Sequence, residues 1–180
     1  MRKSVLAGVL FLVAAAAFAA DPEIDGLTAT AANGKVSIQF RLAHAFERPE
    51  TSQGLQSGVP TSFGYVIEIY RDRPNWFDER IARSHIEVIA TFNSVTREYL
   101  MNYRRDRRLV RSETFSDLAA LEQRMTTIDE ADLFDIGRRR PWKLRVRAKA
   151  DLMRGWLLYV VPWEISTRWR TVRVTGEQAK

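Results

Sequence analysis

VPTSFGYVIEIYRDRPNWFDERIARSHIEVIATFN, residues 59–93, decides the fold. Phe63, Tyr65, Ile67 and Ile69 alternate with Gly64, Val66, Glu68 and Tyr70, and Arg71-Asp72-Arg73-Pro74-Asn75 then breaks the run. In the second half Ile86, Val88, Ala90 and Phe92 alternate with His85, Glu87, Ile89 and Thr91. Two alternating runs rich in aromatic and β-branched residues, joined by a Pro/Asn/Asp break, predict a long β-hairpin. A hairpin with one apolar face needs a second layer to bury it.

The flanking sequence supplies that layer. Upstream, Thr28–Ala32 and Val36–Leu42 enclose Asn33-Gly34, the strongest short-range hairpin signal. Residues 46–57 read as a loop in which Pro49 suits the first position of a short helix. Downstream, Glu98–Tyr103 and Leu109–Phe115 continue a meander. The period then changes. Leu118, Leu121, Met125 and Ile128 share one helical face, so a helix is predicted over 117–128, capped by Ser116, with Asp129–Ile136 adding a short second turn. From Trp142 to Ala150 the alternation is strict. Gly155 reads as a turn, Trp156–Val161 as a strand, and Trp163–Val174 as a last alternating run. The fold class is therefore all-β and mainly antiparallel, a sandwich or open barrel of roughly seven to nine strands with one covering helix. Ile67, Ile69, Val88, Phe92, Leu144 and Val146 are predicted core, joined by Trp142, Trp163 and Trp169.

Residues 1–19 read as a secretory signal: Arg2 and Lys3, an apolar run from Val5 to Phe18, then Ala17-Phe18-Ala19 as a cleavage site. A periplasmic chain beginning near Ala20 is the expectation, with a single β-rich domain over 20–175 and a tail over 176–180. Cleavage would remove Arg2 and Lys3 and no acid, lowering the formal charge of +6 to +4. That excess permits an anionic partner without demanding one. A domain of this length buries enough surface to fold without disulfides, and there is no cysteine.

The chemistry-bearing residue types are sparse. The only two histidines, His44 and His85, lack a ligand-spaced partner, so no metal site is expected. Ser84 and His85 are adjacent, which on a strand sends them to opposite faces. The glycines form no Walker or dinucleotide fingerprint, and no cofactor is expected. Asp129, Glu130, Asp132 and Asp135 read as a solvated helix end. One feature stands out: Lys143, Arg145, Arg147 and Lys149 line one face of the predicted strand, a row about 20 Å long. Arg138, Arg139 and Arg140 lie just upstream. Two readings compete. The row is either a solvent face paired with cross-strand acids such as Glu68 or Glu87, or a surface for an anionic lipid, an envelope polyanion or an acidic protein. On the second reading, reversing Arg145 and Arg147 to Glu should abolish binding and leave the fold intact.

A set of short stretches carries a resemblance. Leu42-Ala43-His44-Ala45-Phe46, Ser57-Gly58-Val59-Pro60-Thr61-Ser62-Phe63, Tyr70-Arg71-Asp72-Arg73 with Trp76, Asn93-Ser94-Val95-Thr96 before Tyr99, and Trp163 with Trp169 occur in that order. Together they resemble the exported bacterial domain-of-unknown-function family 4390, over about Ile24 to Val174. The resemblance implies accessory proteins encoded near membrane sensor kinases of the nitrogen-regulation type, and it hands over no functional residue. The combined expectation is an exported periplasmic accessory or binding domain without catalysis, acting with a membrane-associated or envelope partner and not with nucleic acid. The alternative is a carrier of an amphipathic or anionic ligand, with an aromatic-lined interior and a basic rim. The oligomeric state is left open.

Overall fold

The computed structural model describes residues 20–47, 49–73, 77–157 and 161–176, so the expected signal segment lies outside the described residues. Within them the chain forms two sheets face to face. In chain order the elements are β1 (Glu23–Ala32), β2 (Lys35–Ala43), α1 (Pro49–Gln56), β3 (Thr61–Arg71), β4 (Glu79–Asn93), β5 (Glu98–Arg105), β6 (Arg108–Phe115), α2 (Leu118–Thr126) and β7 (Thr127–Asp135). A 3-10 turn (Pro141–Lys143), β8 (Leu144–Leu157), β9 (Val161–Ser166), β10 (Arg170–Arg173) and β11 (Thr175–Gly176) complete it. The large sheet runs β10-β8-β3-β4-β5-β6, with β9 also on β8, and the small one β11-β1-β2-β7. All pairings are antiparallel except β1 with β11. The sheets do not close on themselves, so the sandwich is realised and the barrel is not.

The hairpin read from residues 59–93 is the centre of the large sheet. Val88 faces Phe63, Ile86 faces Tyr65, and on the other flank Ala148 faces Ile67 and Val146 faces Ile69. Their side chains are fully buried against the small sheet, where Val36, Ile38, Phe40 and Leu42 supply the opposite wall. The Phe40 ring meets Tyr65 edge-on at 5.6 Å. In the β1–β2 turn, Gly34 sits at φ +77° and a Cβ there would lie 2.9 Å from the Gly137 carbonyl oxygen, so glycine is required.

Both open sides of the sandwich are closed by the chain itself. α2 leads directly from β6, at the edge of the large sheet, into β7, at the edge of the small one. It buries Leu121 and Met125, and Tyr65 Oη donates to the carbonyl of Met125 at 2.7 Å, satisfying a last-turn group that the helix leaves unpaired. On the far side β10 runs through Val174, whose N–H donates to the Leu144 carbonyl, into β11 on the small sheet.

Several expectations need correction. Eleven strands replace seven to nine: residues 127–135 form β7, the run Trp163–Val174 breaks at Thr167–Trp169 into β9 and β10, and β11 pairs just past Val174, while the short helix anticipated at Pro49 forms as α1. The cap of α2 is Asp117, accepting from the Ala120 N–H, rather than Ser116. Residues 129–135 extend as β7 instead of adding a helical turn, since their partner β2 offers a ladder there. Gly155 lies inside β8. Gly176 pairs with Ala31 rather than heading a tail. Phe92, predicted core, is only half-buried and packs on Tyr99 at 4.8 Å near the end of its strand.

Candidate functional site

β8 turns alternate residues to opposite faces, and Leu144, Val146, Ala148 and Ala150 are buried. Arg145, Arg147 and Lys149 therefore stand on the outer face of the large sheet. Lys143 does not share the strand: it closes the 3-10 turn and is exposed, so the predicted row of four shortens to three plus a flanking lysine.

Register decides which acids meet the row. Tyr70, Glu68 and Val66 of β3 lie beside Arg145, Arg147 and Lys149. Glu68 has a side chain only 3% exposed, and a buried carboxylate is tolerated only when paired and hydrogen-bonded. It accepts from Arg147 Nε at 2.8 Å, from Tyr70 Oη at 2.7 Å and from Arg80 Nη1 at 3.2 Å, with Arg83 Nε at 3.7 Å. Burial alone would raise its pKa; the hydrogen bonds from Tyr70 and Arg147 and the nearby guanidinium charge outweigh that, holding the carboxyl below its ordinary value. The Arg147 guanidinium lies between two rings, 4.4 Å from the Tyr70 centroid and 4.4 Å from that of Trp169. Such stacking adds about 0.5–2 kcal/mol per face, depending on desolvation. Arg145 pairs with Asp72, and Lys149 reaches Asp151 at 2.8 Å.

The basic row of the outer face is partnered by acids, with further cations beside it. Arg145, Arg147 and Lys149 are partnered as the solvent-face reading expects, Glu68 being the acid foreseen; Glu87 instead meets Arg104, at 3.6 Å. Yet Glu68 is one carboxylate among three guanidinium groups, and Arg80 and Arg83 remain half-exposed at 54% and 53%. Cationic excess therefore remains at the surface. The pairing also corrects one expectation: Arg147→Glu would set two carboxylates side by side and disturb the fold, so that reversal is not a clean test of binding.

Arg138, Arg139 and Arg140 fall outside this cluster. They sit exposed in the segment between β7 and the 3-10 turn, where Arg139 donates to the Ile136 carbonyl and Arg140 lies 5.8 Å over Trp142. Trp142 and Trp169, predicted core, are 51% and 39% exposed: the first precedes the strand, and the second occupies the break between β9 and β10. The side chain of Trp163 lies outside the described residues.

The acids of residues 129–135 do not form a helix end. Glu130 points inward from β7, accepting from Tyr103 Oη at 2.7 Å and Arg105 Nη1 at 2.8 Å, while Asp132 pairs with Lys35 at 3.4 Å. Burial, then the bond to Glu130, drives the Tyr103 hydroxyl far above its usual pKa. Ser84 and His85 do part to opposite faces; Ser84 Oγ donates to Asp106 at 3.2 Å and no Ser–His contact forms. His44 Nδ1 lies 2.5 Å from Glu47. Among the described residues no three His, Asp or Glu side chains gather as a metal ion would require.

Sequence reasoning missed Tyr70, Asp72 and Trp169 as parts of the outer cluster. Tyr70 was findable, lying two residues after Glu68 on the same strand face; Trp169 was not, because its contact with Arg147 depends on the break before β10. No curated protein and no solved structure matches the chain. A family model does, over residues 19–173, and the chain belongs to that family, the Domain of unknown function (DUF4390).

Proposed function

We propose that this chain is an exported, non-catalytic accessory module that binds an anionic partner at the cell envelope through the outer face of its large sheet. The observation that carries this reading is the imbalance at Glu68: one buried carboxylate fixes three guanidinium groups and leaves two of them half-exposed. A structural pair would need one cation; a prearranged cluster of three, one of them stacked between two rings, suits recognition of negative charge at low entropic cost. The N-terminal pattern of charge, apolar run and small residues supports export, and with it a partner in the envelope. The carrier alternative draws less support, since two of its three expected interior tryptophans face solvent.

The test uses the mature chain, beginning near Ala20, and washed envelope membranes. Binding should be strong at about 0.05 M salt and weak at about 0.5 M, because exposed charges are screened over shorter distances as salt rises. Arg80→Gln with Arg83→Gln, which removes charge without setting a second carboxylate beside Glu68, should weaken it at low salt. Recovery of the chain with residues 1–19 intact, or no binding at low salt, overturns the proposal.

A further inference from the structure

The row of residues Leu144, Arg71 and Glu79 crosses three neighbouring strands and marks one end of the large sheet. Two large apolar side chains lie just past it. Phe77 precedes Glu79 by two residues and is 89% exposed; Trp142 precedes Leu144 by two and is 51% exposed. The Asp72 N–H donates to the Lys143 carbonyl at 2.9 Å, tying the end of β3 to the Trp142 segment, and Arg71 of the same strand pairs with Glu79 beyond Phe77. Neither side chain belongs to the core; one exposed apolar residue is ordinary, but two at the same end, among cations without a carboxylate, form a patch of the kind that marks an interaction site.

Cations surround this end. Arg71 and Arg73 share Glu79, and Arg145 holds Asp72. Arg138, Arg140, Lys143 and Arg173 meet no carboxylate among the described residues, and all four are exposed. Arg173 belongs to the same end, paired in register with Arg145. Asp78 is the one exposed acid in the loop beside Phe77, so positive charge prevails.

From this juxtaposition we propose that the end of the sandwich carrying Phe77 and Trp142 docks on an anionic lipid bilayer. The two rings enter the headgroup region, and Arg138, Arg140, Lys143 and Arg173 meet lipid phosphates. Aromatic side chains favour the bilayer–water boundary, and basic residues beside an anionic leaflet each add affinity. The chemistry fits a bilayer better than an acidic protein. An acidic protein patch would match the cations, but it would leave the two projecting rings without a complementary apolar surface. The inference rests on the proposed envelope role and names an anionic bilayer as the partner of this end, which adjoins the outer basic face.

The experiment is co-sedimentation of the mature chain with protein-free vesicles, either pure phosphatidylcholine or phosphatidylcholine carrying about a third phosphatidylglycerol, a composition that gives the surface a negative potential. Binding is expected only to the anionic vesicles. Charge reversal at Arg138, Arg140 and Lys143 should weaken it on the order of a hundredfold. Phe77→Ser should weaken it about tenfold and Phe77→Leu restore most of it, the loss being that of one buried apolar side chain. Because Phe77 is exposed, the serine variant keeps the fold, which circular dichroism checks. Anionic binding that Phe77→Ser and Trp142→Ser leave unchanged overturns the inference. So does binding to washed membranes but not to vesicles of their extracted lipids, an outcome that would spare the envelope role and point to a membrane protein. Failure to bind either at low salt overturns both.

Discussion

Two buried glutamates in this sandwich are built alike and used differently. Glu68 and Glu130 each accept a tyrosine hydroxyl at 2.7 Å and an arginine N–H at 2.8 Å. Glu130 faces inward from β7, and its tyrosine is itself fully buried. Glu68 faces outward, gathers three guanidinium groups, and its tyrosine forms one side of a stack open to solvent. The same unit thus serves to tie two sheets together in one place and to hold a charged surface rigid in the other. What separates them is the number of cations per carboxylate: a matched pair contributes to the fold, and a surplus contributes a field.

Four perturbations break or sharpen this contrast. Leu144→Ala, directly beneath the outer cluster and 1% exposed, sets the scale by removing core without touching charge; chemical denaturation should give a loss of roughly 2–5 kcal/mol, and a loss below about 1 kcal/mol would mean that the site collapses without a cavity. Glu130→Ala should cost roughly 2–4 kcal/mol, since it strands the Tyr103 hydroxyl and the Arg105 guanidinium, the latter eased by its partial exposure. It should leave vesicle and membrane binding unchanged; a binding defect in a folded protein would erase the distinction between the two glutamates.

Glu68→Gln should cost about 1–2 kcal/mol, less than Glu130→Ala, because its three arginines can turn to water. Unlike the interior change, it should strengthen binding to anionic vesicles by exposing more positive charge. Its acid dependence has a definite sign. The folded pKa of Glu68 is lowered, so the carboxylate contributes stability fully above its unfolded value of about 4.3 and loses it as pH falls through the folded value. Wild type and Glu68→Gln should therefore converge in stability below about pH 4, and parallel curves down to about pH 2 would refute the pairing. The smallest effect is expected from Trp169→Ala, about 0.5–1 kcal/mol for one exposed cation–π face, with greater motion of Arg147 measurable by side-chain relaxation. No change in either would demote the stack to a chance contact.

The central hairpin, the Asn33-Gly34 turn, the meander and the alternation of β8 were all legible in the sequence, because a period of two and a turn residue are local signals. Five of the six named core residues are buried for the same reason, and Phe92 is the exception because it lies next to the end of β4. The region 129–135 was misread because its acids masked a strand whose inward position, Glu130, is polar yet satisfied from β5. Trp169 was misread because alternation was carried across a break that only pairing with β8 creates, and Trp142 because it lies in the 3-10 turn before the strand begins. The basic row was visible; that Arg147 is committed to Glu68 depends on register between strands about 80 residues apart, which no local pattern holds.

β11 pairs in parallel with β1, setting Thr30 beside Thr175 and Ala31 beside Gly176. A Cβ on Gly176 would come 2.5 Å from the Ala31 carbonyl oxygen, so this contact admits only glycine. The first strand made is thus completed by the last residues of the domain. A chain emerging N-terminus first keeps that edge of β1 unpaired until residues 175–176 have emerged. Contacts of such sequence separation form slowly, on the order of milliseconds to seconds in all-β domains. For most of its emergence the polypeptide is a long, incompletely paired sheet, a state open to edge-to-edge association with other copies. The two residues of β11 therefore act as a latch whose timing sets how long the young chain needs protection.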